Sequence, residues 1–187
     1  LCTIGDNTAV GASAMAATTT GAYNTAVGKS ALAANQSAAN NVAIGAFALD
    51  ASTDGTQNVA IGSQAMSTAT SDDGAVVIGY YAGQKMDGAT HTTIVGAGAA
   101  YKLTTGDHNT YIGNGCGPGG GDSTGSYNTA VGSAALDANT TADSNVAVGY
   151  GALTANTTGA ANVAIGFEAM QAMTGGYHRS IAIGFDA

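Results

Sequence analysis

Asn24-Thr25-Ala26-Val27-Gly28 is followed 17 residues later by Asn41-Val42-Ala43-Ile44-Gly45. The same phrase returns as Asn128-Thr129-Ala130-Val131-Gly132, Asn145-Val146-Ala147-Val148-Gly149 and Asn162-Val163-Ala164-Ile165-Gly166. Its closing glycine keeps a 17-residue beat from Gly11 to Gly113, then recurs at Gly132, Gly149, Gly166 and Gly184. A short fixed period over a whole chain marks a solenoid, in which each coil buries its apolar side only against its neighbours. The expectation is a single all-β domain over residues 1–187, a parallel β-roll or β-solenoid of about eleven coils.

Composition agrees with a thin core. Of 187 residues, 29 are Gly, one is Pro, none is Trp, and 9% are charged, well below a globular norm of about 25%. Alanine dominates the apolar content, so the chain can fill a narrow cross-section repeated along an axis, not one thick centre. Net charge is −8 with four cations, Lys29, Lys85, Lys102 and Arg179. Nucleic-acid binding needs cations to displace counterions from phosphates, which argues against that partner. No apolar run reaches the ~20 residues of a spanning helix, so no membrane insertion is expected in this segment. Leu1 opens in mid-phrase, and the sequence reads as a piece of something longer. Cys2 and Cys116 lie about six coils apart, roughly 30 Å at about 4.8 Å per coil, too far for an intrachain disulfide. Bridges between chains stay open.

Counting Asn as position 1 and Gly as position 5, the phrase reads as a short strand. Position 4 is Val or Ile in every coil and position 2 is Thr, Val or Ile. Branched side chains suit a pleated surface, and these two rows are expected to face the coil interior. Position 9 supplies the opposing bulk (Met15, Leu32, Leu49, Met66, Leu136, Leu153, Met170). Thr-Gly pairs such as Thr20-Gly21 and Thr158-Gly159 are expected to turn the chain with φ > 0 at Gly. The Asn ladder, with Asn24, Asn41, Asn128, Asn145 and Asn162 among its members, is expected to bond stacked turns to one another. Two tracks of alanine remain, at position 3 and at position 8 (Ala31 and Ala48, for example). Either a flattened coil leaves no room for more, or they form a face for close approach of another chain; the second is favoured, since a thin lone coil folds poorly.

The rhythm weakens over residues 70–125, where Ala75 and Thr92 replace Asn and Gly83, Ala100 and Gly117 replace the position-9 residue. Met86 and Leu103, three residues later, are expected to restore the lost bulk. The glycine-rich run from Gly113 carries a two-residue insertion. Its Gly115, Gly117 and Gly120 fit Gly-x-Gly-x-x-Gly, yet no βαβ unit surrounds them, and no cofactor is expected. His91 and His108 share a turn position one coil apart, where Tyr23 and Tyr127 also occur; a shared metal lacks a third ligand, and no metal is assigned. Lys85 and Lys102 fall at one position in adjacent coils and could meet an anionic partner, or bend into water near Asp87 and Asp107. Tyr80 and Tyr150 follow the repeat glycine and are candidate ligand contacts. Asn35, Asn139 and Asn156 open N-glycosylation sequons at equivalent turn positions. No nucleophile–base–orienter arrangement is legible, so no enzyme activity is expected.

Asn24-Thr25-Ala26-Val27-Gly28-Lys29-Ser30-Ala31-Leu32 and Asn41-Val42-Ala43-Ile44-Gly45-Ala46-Phe47-Ala48-Leu49 resemble the head repeats of YadA-like trimeric autotransporter adhesins. They are equally similar to the Asn-Thr-Ala-Val-Gly repeats of phage tail-fibre proteins, whose longer period is the nearer match. The resemblance covers essentially the whole chain. It implies a left-handed parallel β-roll, three chains around one axis, displayed outside the cell or on a virion and used for attachment. It also implies that the alanine tracks pack in the trimer.

The expected function is therefore a non-enzymatic structural and adhesive module of an extracellular fibre. Its expected partners are sister copies in a homotrimer, with an end-to-end filament as a further option, and a surface glycan or protein receptor. The alternative is a solenoid that recognises carbohydrate or ice; position 2 alternates between Thr and Val, which disfavours a regular ice-matching array. A left-handed β-helix acyltransferase would need a six-residue apolar period and a partnered His, and neither is present.

Overall fold

The computed structural model describes residues 5–174 and 176–187. Eleven strands of three residues run from β1 (Thr8–Val10) to β11 (Ile181–Ile183), each the Thr/Val-x-Val/Ile centre of one phrase. They form one parallel sheet in sequence order, and Thr25, Ala26 and Val27 of β2 pair with Val42, Ala43 and Ile44 of β3. The fold is an all-β solenoid, and the described residues contain no helix. Three-residue strands suffice because every strand from β2 to β10 is paired on both sides.

The burial pattern overturns one expectation. The middle residue of each strand points inward: Ala26, Ala43, Ala60, Ala130, Ala147 and Ala164 are fully buried, as are Val77, Ile94 and Tyr111. Positions 2 and 4 face outward, with Val10 57% and Ile44, Ile112 and Ile165 each 38% exposed. Alternation along a strand says that two rows share a side, not which side that is. Opposite Leu or Met at position 9 the coil has room only for alanine, and branched residues enter at position 3 only where Gly83 or Ala100 stands opposite. Alanines at positions 3 and 8, together with Leu32, Leu49, Met66, Leu136 and Leu153, fill the interior completely. The alanine tracks are therefore the core of the single chain and cannot be the face that meets another. Of the two readings of those tracks, the flattened coil holds.

Chain reversal also differs from expectation. Gly21, Gly106, Gly125 and Gly159 are not left-handed; a Cβ on Gly21 would lie 2.3 Å from the Ala38 carbonyl oxygen of the next coil. These glycines permit close coil approach. Left-handed backbone is taken instead by ordinary residues, such as Ser30 (φ 55°), Leu32 (φ 50°) and Asn40 (φ 60°) within one coil. Each such residue costs about 1–2 kcal/mol. Inter-coil hydrogen bonds hold them there: Ser30 N–H donates to Ala12 O, Leu32 N–H to Ala48 O and Asn40 N–H to Ala22 O. A coil without neighbours would lose those bonds and keep the strain, which is the energetic reason the fold exists only as a stack.

The Asn ladder runs through the interior. Asn41 is buried; its Oδ1 accepts from Asn58 N–H (2.9 Å) and its Nδ2 donates to Gly55 O (2.8 Å). Asn24, Asn128 and Asn145 repeat the pattern, each tying its strand entry to the turn 14 residues later and to the strand entry of the next coil. Position 5 is as constrained: a Cβ on Gly28 (φ +135°) would lie 2.5 Å from Gly45 O. Gly45, Gly132, Gly149 and Gly166 stand in the same geometry.

Candidate binding surface

The outer face of the sheet carries two columns of branched residues and no charge. Eleven rungs about 4.8 Å apart and two columns about 7 Å apart make a strip roughly 50 Å long, about 350 Å² between the columns, with Thr at Thr8, Thr25, Thr93, Thr110 and Thr129 and Val or Ile elsewhere. That is comparable with the largest apolar patches that monomers expose. Aromatic residues at position 6 border it: Tyr80 (56% exposed), Tyr150 (51%), Phe167 (43%) and Phe185 (78%).

These exposed aromatics fall into two geometries with different chemical consequences. Tyr150, Phe167 and Phe185 stack in parallel, with centroids 5.2 Å apart and interplanar angles of 17° and 6°. The facing sides of the rings cover one another, and Phe185, at the end of the column, is 78% exposed. His91, His108 and Tyr127 do the same at the other turn, 5.1 Å apart and 16° off parallel. Imidazole lone pairs lie in the ring plane, so two parallel rings 5.1 Å apart aim them side by side and not at a common point. No group of three or more His, Cys, Asp or Glu side chains suited to a metal occurs among the described residues.

Tyr80, Tyr81 and Tyr101 are arranged otherwise. Tyr80 meets Tyr81 at 4.2 Å and 71°, and Tyr81 meets Tyr101 at 6.1 Å and 69°. In an edge-to-face contact the edge of one ring lies against the face of the other. Lys102 lies beside this cluster, its ammonium 5.5 Å from the Tyr101 centroid. Lys85, expected near Asp87 and Asp107, pairs instead with Asp122 at 3.0 Å. Asp107 is occupied by Thr90, whose N–H and hydroxyl both donate to it, and Asp87 accepts from Thr70. The pair raises the Lys85 ammonium above its ordinary value through the Asp122 carboxylate and lowers Asp122 in return. Thus Tyr80, Lys85 and Lys102 are brought together, whereas Tyr150 belongs to a separate column. Tyr81 and Tyr101 were missed in the sequence. The signal available was that Tyr81 lies beside Tyr80 and Tyr101 beside Lys102.

The sequon asparagines are corrected by their burial. Asn35, Asn139 and Asn156 are 0% exposed. They occupy the inward slot that Met86 and Leu103 fill in the middle coils, where both are fully buried as expected. Asn139 Nδ2 donates to Ala142 O and its Oδ1 accepts from Ala142 N–H; Asn156 does the same with Gly159. A glycan on these nitrogens has no path out of the folded coil. Sequon spelling concealed what the shared register with Met86 and Leu103 could have revealed.

Cys116 replaces alanine in the interior, with burial pushing its thiol up to about 12. A thiol so protonated is a poor nucleophile. Cys2 lies outside the described residues, so the interchain bridge considered for it does too. No helix among the described residues is long and apolar enough to cross a membrane. Comparison with protein-family models, curated proteins and solved structures returned no match to this chain.

Proposed function

We propose that this chain is a structural and adhesive segment of an extracellular fibre, a non-enzymatic rod displayed on a cell surface or virion. Three copies, each a left-handed roll, pack around a common axis. The observation that carries this reading is the uncharged outer face of branched residues, continuous over all eleven strands. Each partly exposed Val or Ile gains about 1 kcal/mol when covered by a neighbour. Seventeen such side chains per chain, together about 17 kcal/mol, offset the ~4–15 kcal/mol lost in association. The resemblance to adhesin heads and tail fibres supplies the number three, and the open ends of the sheet suit end-to-end filaments.

Sedimentation equilibrium tests the assembly directly. The expected mass is three times that of one chain, and Ile61→Glu with Val148→Glu on the outer face is expected to release folded single chains. A wild-type monomer would overturn the reading. Ice binding regains one argument, because Thr25, Thr93, Thr110 and Thr129 point outward. The position-4 column, however, is Val or Ile throughout and breaks any regular hydroxyl lattice. An ice-recrystallisation assay separates the two.

A further inference from the structure

We propose that the cluster of Tyr81, Tyr101 and Lys102 binds an acidic saccharide carrying a single carboxylate per recognised unit. The inference names a ligand class for the attachment reading above and rests on that reading for its biological role. Three observations converge on it. First, sugar rings stack through their C–H faces onto aromatic faces. Three tyrosines meet here through the Tyr80–Tyr81–Tyr101 contacts at 71° and 69°, Tyr80 is 56% exposed, and Lys102 stands over the Tyr101 ring beside them.

Second, the surface beside the rings is bare. Gly98 and Gly115 hold the coil position of Tyr81 in the next two coils, and a Cβ on either would meet nothing within 4 Å. Two coil widths, about 10 Å, give a floor long enough for two pyranose rings. Gln84, whose Nε2 donates to Gln64 Oε1 at 3.1 Å, keeps its own Oε1 outside that bond.

Third, the charge count selects the ligand. Lys85 is neutralised by Asp122, and Lys102 has no carboxylate within ion-pair distance among the described residues. The cluster therefore offers one cation for one anion, with the Asp122 carboxylate left to accept sugar hydroxyls. The chain around it carries a net charge of −8, which repels polyanions. A singly acidic sugar meets that field with one charge, which Lys102 offsets, whereas a polysulfated chain meets it with many.

The test is an NMR titration of the wild-type protein with a glucuronate-containing disaccharide, the glucose disaccharide of the same linkage, and a polysulfated heparin oligosaccharide. The glucuronate compound is expected to bind about tenfold more tightly than its neutral counterpart. Lys102→Gln is expected to abolish that preference while leaving neutral binding unchanged, and Tyr101→Ala to weaken both sugars about tenfold. Lys102 is on the surface, so its variant folds even where Tyr101→Ala does not. Equal affinity for the acidic and neutral sugars, tightest binding to heparin, an unaltered preference in Lys102→Gln, or no binding would each overturn the proposal. The sedimentation mass is read on the same samples. A trimer that binds no sugar removes this proposal and spares the fibre, and a monomer that binds removes the fibre and spares the site.

Discussion

The coils carrying β2 (Thr25–Val27) to β4 (Val59–Ile61) and those carrying β5 (Val76–Ile78) to β7 (Thr110–Ile112) solve one packing problem in two ways. In the regular coils the interior is small at position 3 and large at position 9, as in Ala43 with Leu49. In the middle coils the order reverses: Val77 faces Gly83, Ile94 faces Ala100 and Tyr111 faces Gly117. A Cβ on Gly117 would lie 2.6 Å from Tyr111 Cγ, so the ring occupies the space a leucine fills elsewhere. What persists from coil to coil is the filled volume of the cross-section, while the position that supplies it moves. The same middle coils hold the edge-to-face tyrosine cluster, the Lys85–Asp122 pair and Lys102. Where the repeat is regular the surface is regular, and where the repeat is broken the chain presents its distinctive chemistry.

The sharpest way to break this comparison is to swap one solution for the other within a single coil. Tyr111→Ala should lose about 3–5 kcal/mol, the usual cost of emptying a buried aromatic site. Gly117→Leu alone should also destabilise by collision with the ring. The double variant should recover most of the loss, and urea unfolding of all four proteins measures the coupling. Additive losses would show that the two positions do not share a volume.

A second difference concerns Asp72, which stands at a buried turn position held otherwise by Gly or Ala from Gly21 to Gly159. Its Oδ1 accepts from Ala89 N–H at 2.8 Å, and its Oδ2 is buried without a partner. Burial raises its carboxyl from 3.8 to about 6, opposed by the Gly88 and Ala89 amides and aided by the Asp87 charge. The folded state therefore disfavours the ionised form. Above pH 6 the fold bears the whole penalty, about 3 kcal/mol as an upper bound, and the penalty disappears as pH falls towards 3.8. Burial acts in the same direction on Asp50 and Asp137. Melting temperature should rise on acidification from pH 8 to 5, and Asp72→Asn should flatten that rise and be the more stable protein at pH 8. A melting temperature that falls across that range in the wild type would refute the assignment.

The third contrast is between ladder and gap. Asn41→Ala orphans the buried Asn58 N–H and the Gly55 carbonyl and should cost about 1–3 kcal/mol by thermal unfolding. The middle coils carry Ala75 and Thr92 at this position and already live without the amide. Thr92→Ala should therefore cost less than Asn41→Ala, and an equal or larger loss would mean that the threonine hydroxyl, which donates to Thr90 O at 3.1 Å, has taken over the role.

Period, strand positions, the asparagine ladder and the compensating Met86 and Leu103 were all legible in the chain. Each depends on spacing alone, since residues 17 apart must stack in a solenoid. The binding surface was half legible: Tyr80, Lys85 and Lys102 stood out by type and register. The Lys85–Asp122 pair did not, because it spans two coils and 37 residues and ends in the irregular loop. The difference between stacked and edge-to-face rings was equally hidden, for it depends on rotamers set by neighbouring coils.

The amino-acid sequence by itself determined that this protein is a stack of like coils with one strand in each, because only a fixed repeat can bring identical side chains into register. Tertiary structure alone decided which side of each strand lies within. Alternation is symmetric between inside and outside, and coil width breaks that symmetry. The narrow coil admits alanine and excludes the valine and isoleucine rows, which leaves an apolar surface facing outward.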